Sequence, residues 1–349
     1  MNDCQPLPEP PSLFRPFILP HAAAALLLVL AGCFPSSCRR TETRALFPSD
    51  SLSREMAEQT SVDTLRLAWE ARTTEAVPLA YPRTVLFGED GTVYVGDAER
   101  NSLFAFGTDG RYREEIAPEQ LDVPYLAGHQ GDTLVVFSAG AGRFDFVADG
   151  DIVQSADVGA DPARQTLQYG AYWKGNLYYK AVGEDAEGYI ARLDARGEVA
   201  ERAVLPGPYW RHAGFLRAWG DSLLSLSGYR PVIDVATEEG DALRLDTLAL
   251  TGFDSPMLAR SRLFTLGEVY DPPLLTASAA AAGDRLFVLN MRPGWLRVDV
   301  YNRHGRLQNV LVQENPLIDK NFYPTDIAAR RTSGGITRSP WWCRSRCRA

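Results

Sequence analysis

The 349-residue chain is 45% hydrophobic and 23% charged, an ordinary balance for a globular protein able to bury a sizeable core. Its 36 basic and 44 acidic side chains give a formal charge of −8, and six of the arginines lie in the last twenty positions with no acid among them, so the body of the chain is more acidic still. Such a surface repels phosphate backbones, and nucleic acid is not expected as a partner.

At the N-terminus, Arg15 precedes an apolar run over 22–31 that ends in Leu30-Ala31-Gly32-Cys33. The run is shorter than the roughly 20 apolar residues of a bilayer-spanning helix but fits the core of an export signal. Residues 1–32 are therefore expected to be a signal peptide, with an unusual proline-rich lead over 5–16. Residues 33–61, rich in Ser, Thr, Pro and Arg, read as a flexible tether. Cysteine usage agrees: Cys4, Cys33 and Cys38 precede the domain, Cys343 and Cys347 follow it, and none lies between Arg39 and Trp342. The domain needs no disulfide, and with no His beside them Cys343 and Cys347 do not read as a zinc site.

From Val62 to Trp69 apolar and polar residues alternate as in a strand. A longer unit then recurs. It opens with a turn and a short strand, as in Asp90-Gly91-Thr92-Val93-Tyr94-Val95 or Asp284-Arg285-Leu286-Phe287-Val288, and closes on a second strand ending at Gly110, Gly150, Gly197, Gly240 or Gly305. A spacing of roughly 40–45 residues with turn glycines marks a blade of four antiparallel strands and hence a β-propeller. The units span 81–116, 124–158, 167–205, 212–250 and 274–312, and a sixth begins at Phe322. The expected fold is all-β: a six-bladed propeller over 62–335, its last blade closed by the N-terminal strand and incomplete at the C-terminus. An extra stretch over 252–273 reads as an inserted loop on one face. After Ala329 alternation is lost, and 336–349 reads as an irregular basic tail of the kind a frameshift or truncation leaves, with exposed strand edges as the consequence.

Pro82, Val85, Asp90-Gly91, Val93-Tyr94-Val95, Asp97, Asn101, Leu103, Phe106 and Asp109-Gly110 resemble an NHL repeat, and the Leu-Ala-Gly-Cys motif resembles the lipobox of bacterial lipoproteins. Together the chain resembles the six-bladed, TolB-like propeller lipoproteins. The resemblance implies acylation of Cys33, each buried methylene contributing about 0.8 kcal/mol to membrane attachment. It implies an address in the bacterial cell envelope. Phe34, standing where an Asp would resemble the inner-membrane retention signal, favours the outer membrane facing the periplasm.

Loops entering the innermost strand of each blade converge on one mouth of the central channel. They carry Tyr81 and Arg83, Tyr125, Tyr169, Arg211 and His212, and Tyr323, joined by Tyr229 and Arg230. Guanidinium forks and phenol faces suit a carboxylate, phosphate or sugar. The expected function is a binding module for a small polar or anionic ligand, or for an envelope protein, needing no cofactor. The alternative is a metal-dependent hydrolase or lyase: resemblance to six-bladed lactonases implies a channel cation, Ca or Zn, for which Asn290 and Asp326 are the weak candidates. Asp97 also has the right chemistry, but the repeat pattern explains it as a turn cap. Of the four His, His21 leaves with the signal and His129 and His304 sit in turns; no Gly-x-Ser-x-Gly elbow, phosphate loop or dinucleotide fingerprint occurs. Trp69, Trp173, Trp210, Trp219 and Trp295 are expected in blade packing.

Overall fold

A computed structural model describes residues 50–346, apart from 75–76, 159–166, 185–186, 195, 293–294, 314–321, 333–334 and 337–340. The segment expected as a signal peptide and Cys33 lie outside the described residues. Helix α1 (Asp50–Gln59) is followed by β1 (Ser61–Thr64). Blade one is β2 (Pro82–Phe87), β3 (Val93–Asp97), β4 (Ser102–Phe106) and β5 (Tyr112–Ile116). Blade two is β6 (Pro124–Gln130), β7 (Thr133–Ser138), β8 (Arg143–Ala148) and β9 (Asp151–Asp157). Blade three is β10 (Leu167–Trp173), β11 (Asn176–Val182), β12 (Gly188–Leu193) and β13 (Val199–Leu205). Blade four is β14 (Leu216–Trp219), β15 (Ser222–Ser225), β16 (Val232–Glu239) and β17 (Ala242–Ala249). Helix α2 (Leu258–Thr265) precedes blade five, built from β18 (Thr276–Ala282), β19 (Arg285–Arg292), β20 (Trp295–Tyr301) and β21 (Leu307–Gln313). The chain ends in β22 (Phe322–Ala328), the short hairpin β23 (Arg331–Thr332) and β24 (Gly335–Ile336), and β25 (Trp341–Arg346).

Within each blade neighbouring strands pair in sequence order and antiparallel. The hairpin turns close on glycine because the chain there needs a positive φ: Gly197, at φ 84°, also leaves no room for a Cβ, which would fall 1.8 Å from the Asp157 carbonyl oxygen of the neighbouring blade. The core is a series of apolar layers between adjacent sheets. Leu103 and Ala105 of blade one meet Leu126, Leu134 and Val136 of blade two, Phe137 and Phe144 meet Tyr179 and Ala191, and Leu224 and Ile233 of blade four meet Ala279, Leu286 and Val288 of blade five. Indoles tie the blades as well. Trp173 Nε1 donates to the Gly220 carbonyl at 2.8 Å and Trp219 Nε1 to that of Gly283 at 2.9 Å, each into the first turn of the next blade.

Among the described residues the propeller has five four-stranded blades, which corrects the expected six. The sixth position holds a two-stranded ribbon of β22 and β25. Strand β22 nevertheless fills the inner place there, because successive strand residues point to opposite faces: Ile327 packs into the layer of blade five and Ala328 into that of blade one. The segment expected as an irregular tail thus supplies β25, which pairs antiparallel with β22 and satisfies backbone groups of an edge that would otherwise be free.

The N-terminal strand also differs from expectation. It does not complete the sixth blade; β1 adds parallel to the outer edge of blade five, with Val62 opposite Val310. Beyond it the chain leaves the sheet, and Trp69 packs on Phe106 at 6.1 Å and donates to the Thr108 carbonyl of blade one at 3.1 Å. Alternation reports a half-buried strand but not its partner, which is why the pattern alone misassigned it. Helix α1 lies inside the stretch read as tether. Its good helix formers from Arg54 to Gln59 outweigh the local Ser content, and Ser53 and Met56, three apart on one face, dock on blades four and five, Ser53 accepting the Gly252 N–H at 3.2 Å.

Asp97 caps the loop before blade one as the repeat pattern suggests. Its carboxylate is fully buried and accepts the backbone N–H groups of Ala80, Tyr81, Glu99 and Arg100 at 2.8 to 3.1 Å. Asp97→Ala strands these donors and is expected to lower unfolding stability by about 3 kcal/mol in a urea titration; an unchanged midpoint contradicts the capping role.

Candidate functional site

Because the strands alternate in direction, the loops entering each inner strand and those joining its second and third strands share one face, here the upper face. The first and third turns of each blade share the other. The inner strands begin in register at the upper face, and Arg83 on β2, Tyr125 on β6, Tyr169 on β10 and Phe215 just before β14 meet at the axis. Tyr125 lies 5.9 Å and Tyr169 5.7 Å from the Phe215 ring. Arg83 Nη1 donates to the Tyr81 hydroxyl at 2.9 Å, and its guanidinium also bonds the Tyr125 hydroxyl. Burial raises the Tyr169 phenol above its usual range, with Tyr125, Tyr229 and Arg83 close enough to act on it electrostatically. Arg83, Tyr125, Tyr169 and Tyr229 are each half-buried. Of the residues singled out in the sequence, these four and Tyr81 come together.

One layer deeper, Asp326 on β22 joins three inner strands. Fully buried, it accepts Arg217 Nη2 at 2.8 Å, the Ser278 hydroxyl, its neighbour Ile327 N–H at 2.9 Å and the Val85 N–H at 3.0 Å. Arg217 stacks 4.4 Å over Phe215 and so joins the two layers. Asn290, the other candidate metal ligand, donates to the Asp254 carbonyl at 2.9 Å and to Asp299 at 2.7 Å. Asp326 is engaged by the Arg217 guanidinium, while the Asn290 Oδ1 is buried with no hydrogen-bond partner among the described residues.

His212, Arg230 and Arg211 belong to a different assembly. His212 and Arg230 are each 2% exposed and both engage Asp234 on β16: His212 Nδ1 lies 2.8 Å from it and Arg230 forms the shortest ion pair of the group. Arg230 Nε also donates to the Arg211 carbonyl at 2.8 Å, while His212 Nε2 meets the Pro206 carbonyl at 3.0 Å. These residues fasten the loop over 206–213 to blade four, and Arg211 folds back over Gly207. Burial alone would raise the Asp234 carboxyl, but the His212 hydrogen bond and the Arg230 charge outweigh it and hold it below the usual aspartate range. The Tyr323 side chain lies outside the described residues; its backbone pairs with Ser345.

The inserted stretch flanks the same mouth. Phe264 of α2 meets Trp210 edge-on at 4.9 Å and Ser261 donates to the Tyr229 carbonyl at 2.9 Å, so the insertion walls the upper face beside Tyr229.

Lys180 on β11 is fully buried, with Nζ 2.8 Å from the His212 carbonyl, 3.1 Å from the Ser225 hydroxyl and 3.3 Å from the Leu226 carbonyl, and 4.7 Å from the Tyr169 ring. Burial pulls its ammonium well below the usual lysine range despite Asp234. In the unfolded chain an ordinary lysine titrates near about 10.4. Between the lowered folded value and that range the unfolded state binds more protons, so this group's contribution to stability rises with pH, by at most about 1.4 kcal/mol per pH unit. The stability of the native protein relative to Lys180→Met is therefore expected to climb through the alkaline range in paired urea titrations; a difference independent of pH contradicts it.

Sequence reasoning missed Phe215, Arg217, Ser278 and Lys180. A lysine inside the run Leu177-Tyr178-Tyr179-Lys180-Ala181-Val182 was the available signal. Phe215 follows Gly214 as Arg83 follows Pro82 and Tyr125 follows Pro124, a register visible once the inner strands are aligned.

The sheets define a β-propeller of four-stranded antiparallel blades. No family model matches the chain, and no curated protein matches it in sequence. Among solved structures it is similar to a catalytically inactive virginiamycin B lyase from Staphylococcus aureus with quinupristin, 14% identical over 75% of this chain and 77% of that one with a TM-score of 0.48. It is similar to the calcium-binding protein regucalcin from Agrobacterium tumefaciens, 13% identical over 77% and 83% with a TM-score of 0.48, and to a chain of a nidogen/laminin complex, 16% identical over 68% and 87% with a TM-score of 0.44. Likeness at this level concerns the arrangement of strands and carries no chemistry with it.

Proposed function

We propose that the chain is a lipid-anchored envelope propeller whose upper channel mouth captures an anionic ligand, a free carboxylate or phosphate compound or an acidic side chain of a partner protein. The supporting observation is the state of Arg83. Arg217, Arg230 and Arg297, arginines in buried networks, each face an aspartate at contact distance. Arg83 is half-buried, yet among the described residues it is held by the hydroxyls of Tyr81 and Tyr125 and by no carboxylate. A desolvated guanidinium with only neutral partners favours an incoming anion, and its planar fork suits a carboxylate or phosphate. Tyr125, Tyr169 and Tyr229 then supply hydroxyls and flat faces that orient the remainder of the ligand.

A thermal-shift screen of carboxylates and phosphates against the purified full-length chain tests this reading. A ligand at a hundredfold excess over its Kd stabilises the folded state by about 2.7 kcal/mol. For at least one such anion that stabilisation is expected in native protein and lost in Arg83→Ala; a screen in which no anion depends on Arg83 contradicts it.

The membrane part of the proposal rests on Leu30-Ala31-Gly32-Cys33. In a bacterial host, Cys33→Ser is expected to abolish incorporation of labelled palmitate and to release the protein from the membrane fraction. Palmitate labelling that survives the substitution contradicts acylation at Cys33.

A further inference from the structure

The opposite face of the propeller carries a groove that the channel mouth does not explain. It lies between the first turns of blades four and five and has a volume of about 550 Å³, within the roughly 300–1,000 Å³ of small-molecule sites. Trp219, Gly220, Gly283, Asp284, Arg303 and Arg331 line it. Gly220 and Gly283 turn the chain at φ 58° and 65°, and the arginine side chains lie close over them: a Cβ on Gly220 would fall 2.7 Å from Arg303 Nη2, and one on Gly283 would fall 3.0 Å from Arg331 Cδ.

The two arginines are held differently. Arg303 stacks 4.2 Å over Trp219 and donates to the carbonyls of Trp219 at 3.0 Å and Gly283 at 3.2 Å, which fixes its plane while leaving N–H donors open. Arg331 is exposed; its backbone pairs with Ile336, and its side chain makes no hydrogen bond among the described residues. Among the described residues Asp284 is the single carboxylate in the lining, so two guanidinia face one acid there, in a protein whose overall charge is −8.

We propose that this groove is a second binding site, for a small hydroxy- or amino-carboxylate. The carboxylate meets Arg303 and Arg331, the pre-oriented Arg303 fork giving direction, and the hydroxyl or amine of the ligand donates to Asp284. Asp284 thereby selects against anions that have no donor, since an unpaired carboxylate beside the ligand repels it. The site is solvent-open, so added salt weakens binding. It involves no residue of the channel mouth and stands independently of the reading given for that mouth.

The probes are citrate, which carries a hydroxyl, and tricarballylate, the same tricarboxylate skeleton without it. Binding to the purified full-length chain is read by calorimetry and by the tryptophan emission that Arg303 perturbs through Trp219. Citrate is expected to bind, and to bind more tightly than tricarballylate. Arg331→Ala, which removes no internal hydrogen bond and so leaves the fold intact, and Arg303→Ala are each expected to weaken citrate at least tenfold. Asp284→Asn is expected to tighten tricarballylate and narrow the gap between the two probes. Citrate binding that survives both arginine substitutions, or that is absent in native protein, overturns the proposal.

Discussion

Replacing Asp326 with alanine is expected to lower the unfolding free energy by about 3–5 kcal/mol, the cost of breaking a buried ion pair by removing one partner. The size follows from what the carboxylate holds. Arg217, with only 16% of its side chain exposed, would keep its charge without a counter-ion, and the Val85 N–H on the adjoining inner strand would lose its acceptor. The sixth position adds to the effect, because β22 is held by one further strand rather than three and Asp326 ties it to blades one, four and five at once. Urea titration reads the loss. The double variant Arg217→Met, Asp326→Leu removes both charges and is expected to recover part of it, since an apolar pair of similar volume replaces a buried ion pair at little cost. A single variant within about 0.5 kcal/mol of native, the range of surface substitutions, contradicts the role assigned to Asp326.

Asp234→Ala is expected to have a comparable effect, again about 3–5 kcal/mol, because it strands the buried Arg230 guanidinium and frees His212 together. Its effect also has a signature in pH. The Asp234 carboxyl is held below its ordinary range in the folded state, so its stabilisation is fully present above the unfolded value near about 3.9 and is lost as pH falls through the lower folded value. Acid titration of native protein should show that loss, and Asp234→Asn should lack it while remaining folded at neutral pH. The loop over 206–213 should loosen in both variants, visible as faster amide exchange at Arg211 and Ala213, whose N–H groups bond within that loop. A pH profile shared by native protein and Asp234→Asn contradicts the assignment.

Much of the architecture was legible because blades are local. A hairpin declares itself through a turn glycine and alternating residues within a few positions, so the five units appear in the structure close to where the repeat placed them, from Pro82 to Ile116 in blade one through to blade five. What failed involved partners distant in sequence. Ser61 pairs with Asn309, 248 positions away, and nothing in the alternation of Val62 to Trp69 states that the pairing is parallel or that it falls on blade five. The tail over 341–346 lacks a strand-like pattern, yet β22 presents an edge whose backbone groups it satisfies.

The site divides along the same line. Arg83, Tyr125 and Tyr169 were readable because each follows directly on the start of an inner strand, a position the repeat defines. His212 and Arg230 look equally suited to a ligand in the sequence, but Asp234, four positions after Arg230 and 22 after His212, turns both inward. Side-chain direction at a loop depends on which neighbour is buried beside it, and composition does not contain that. Asp326 shows the converse: a carboxylate of metal-ligand type becomes the junction of four inner strands once Arg217 and Ser278 are brought to it.

In the proposed function a ligand meets Arg83 at the upper channel mouth. The most direct measurement is a crystal structure of the chain with the anion that stabilises it, paired with calorimetry on native protein and Arg83→Ala. The expected result is density bonded to the Arg83 guanidinium and resting against Tyr125 and Tyr169, with affinity reduced at least tenfold in the variant. Density for that anion elsewhere on the propeller, together with unchanged affinity in Arg83→Ala, would contradict it.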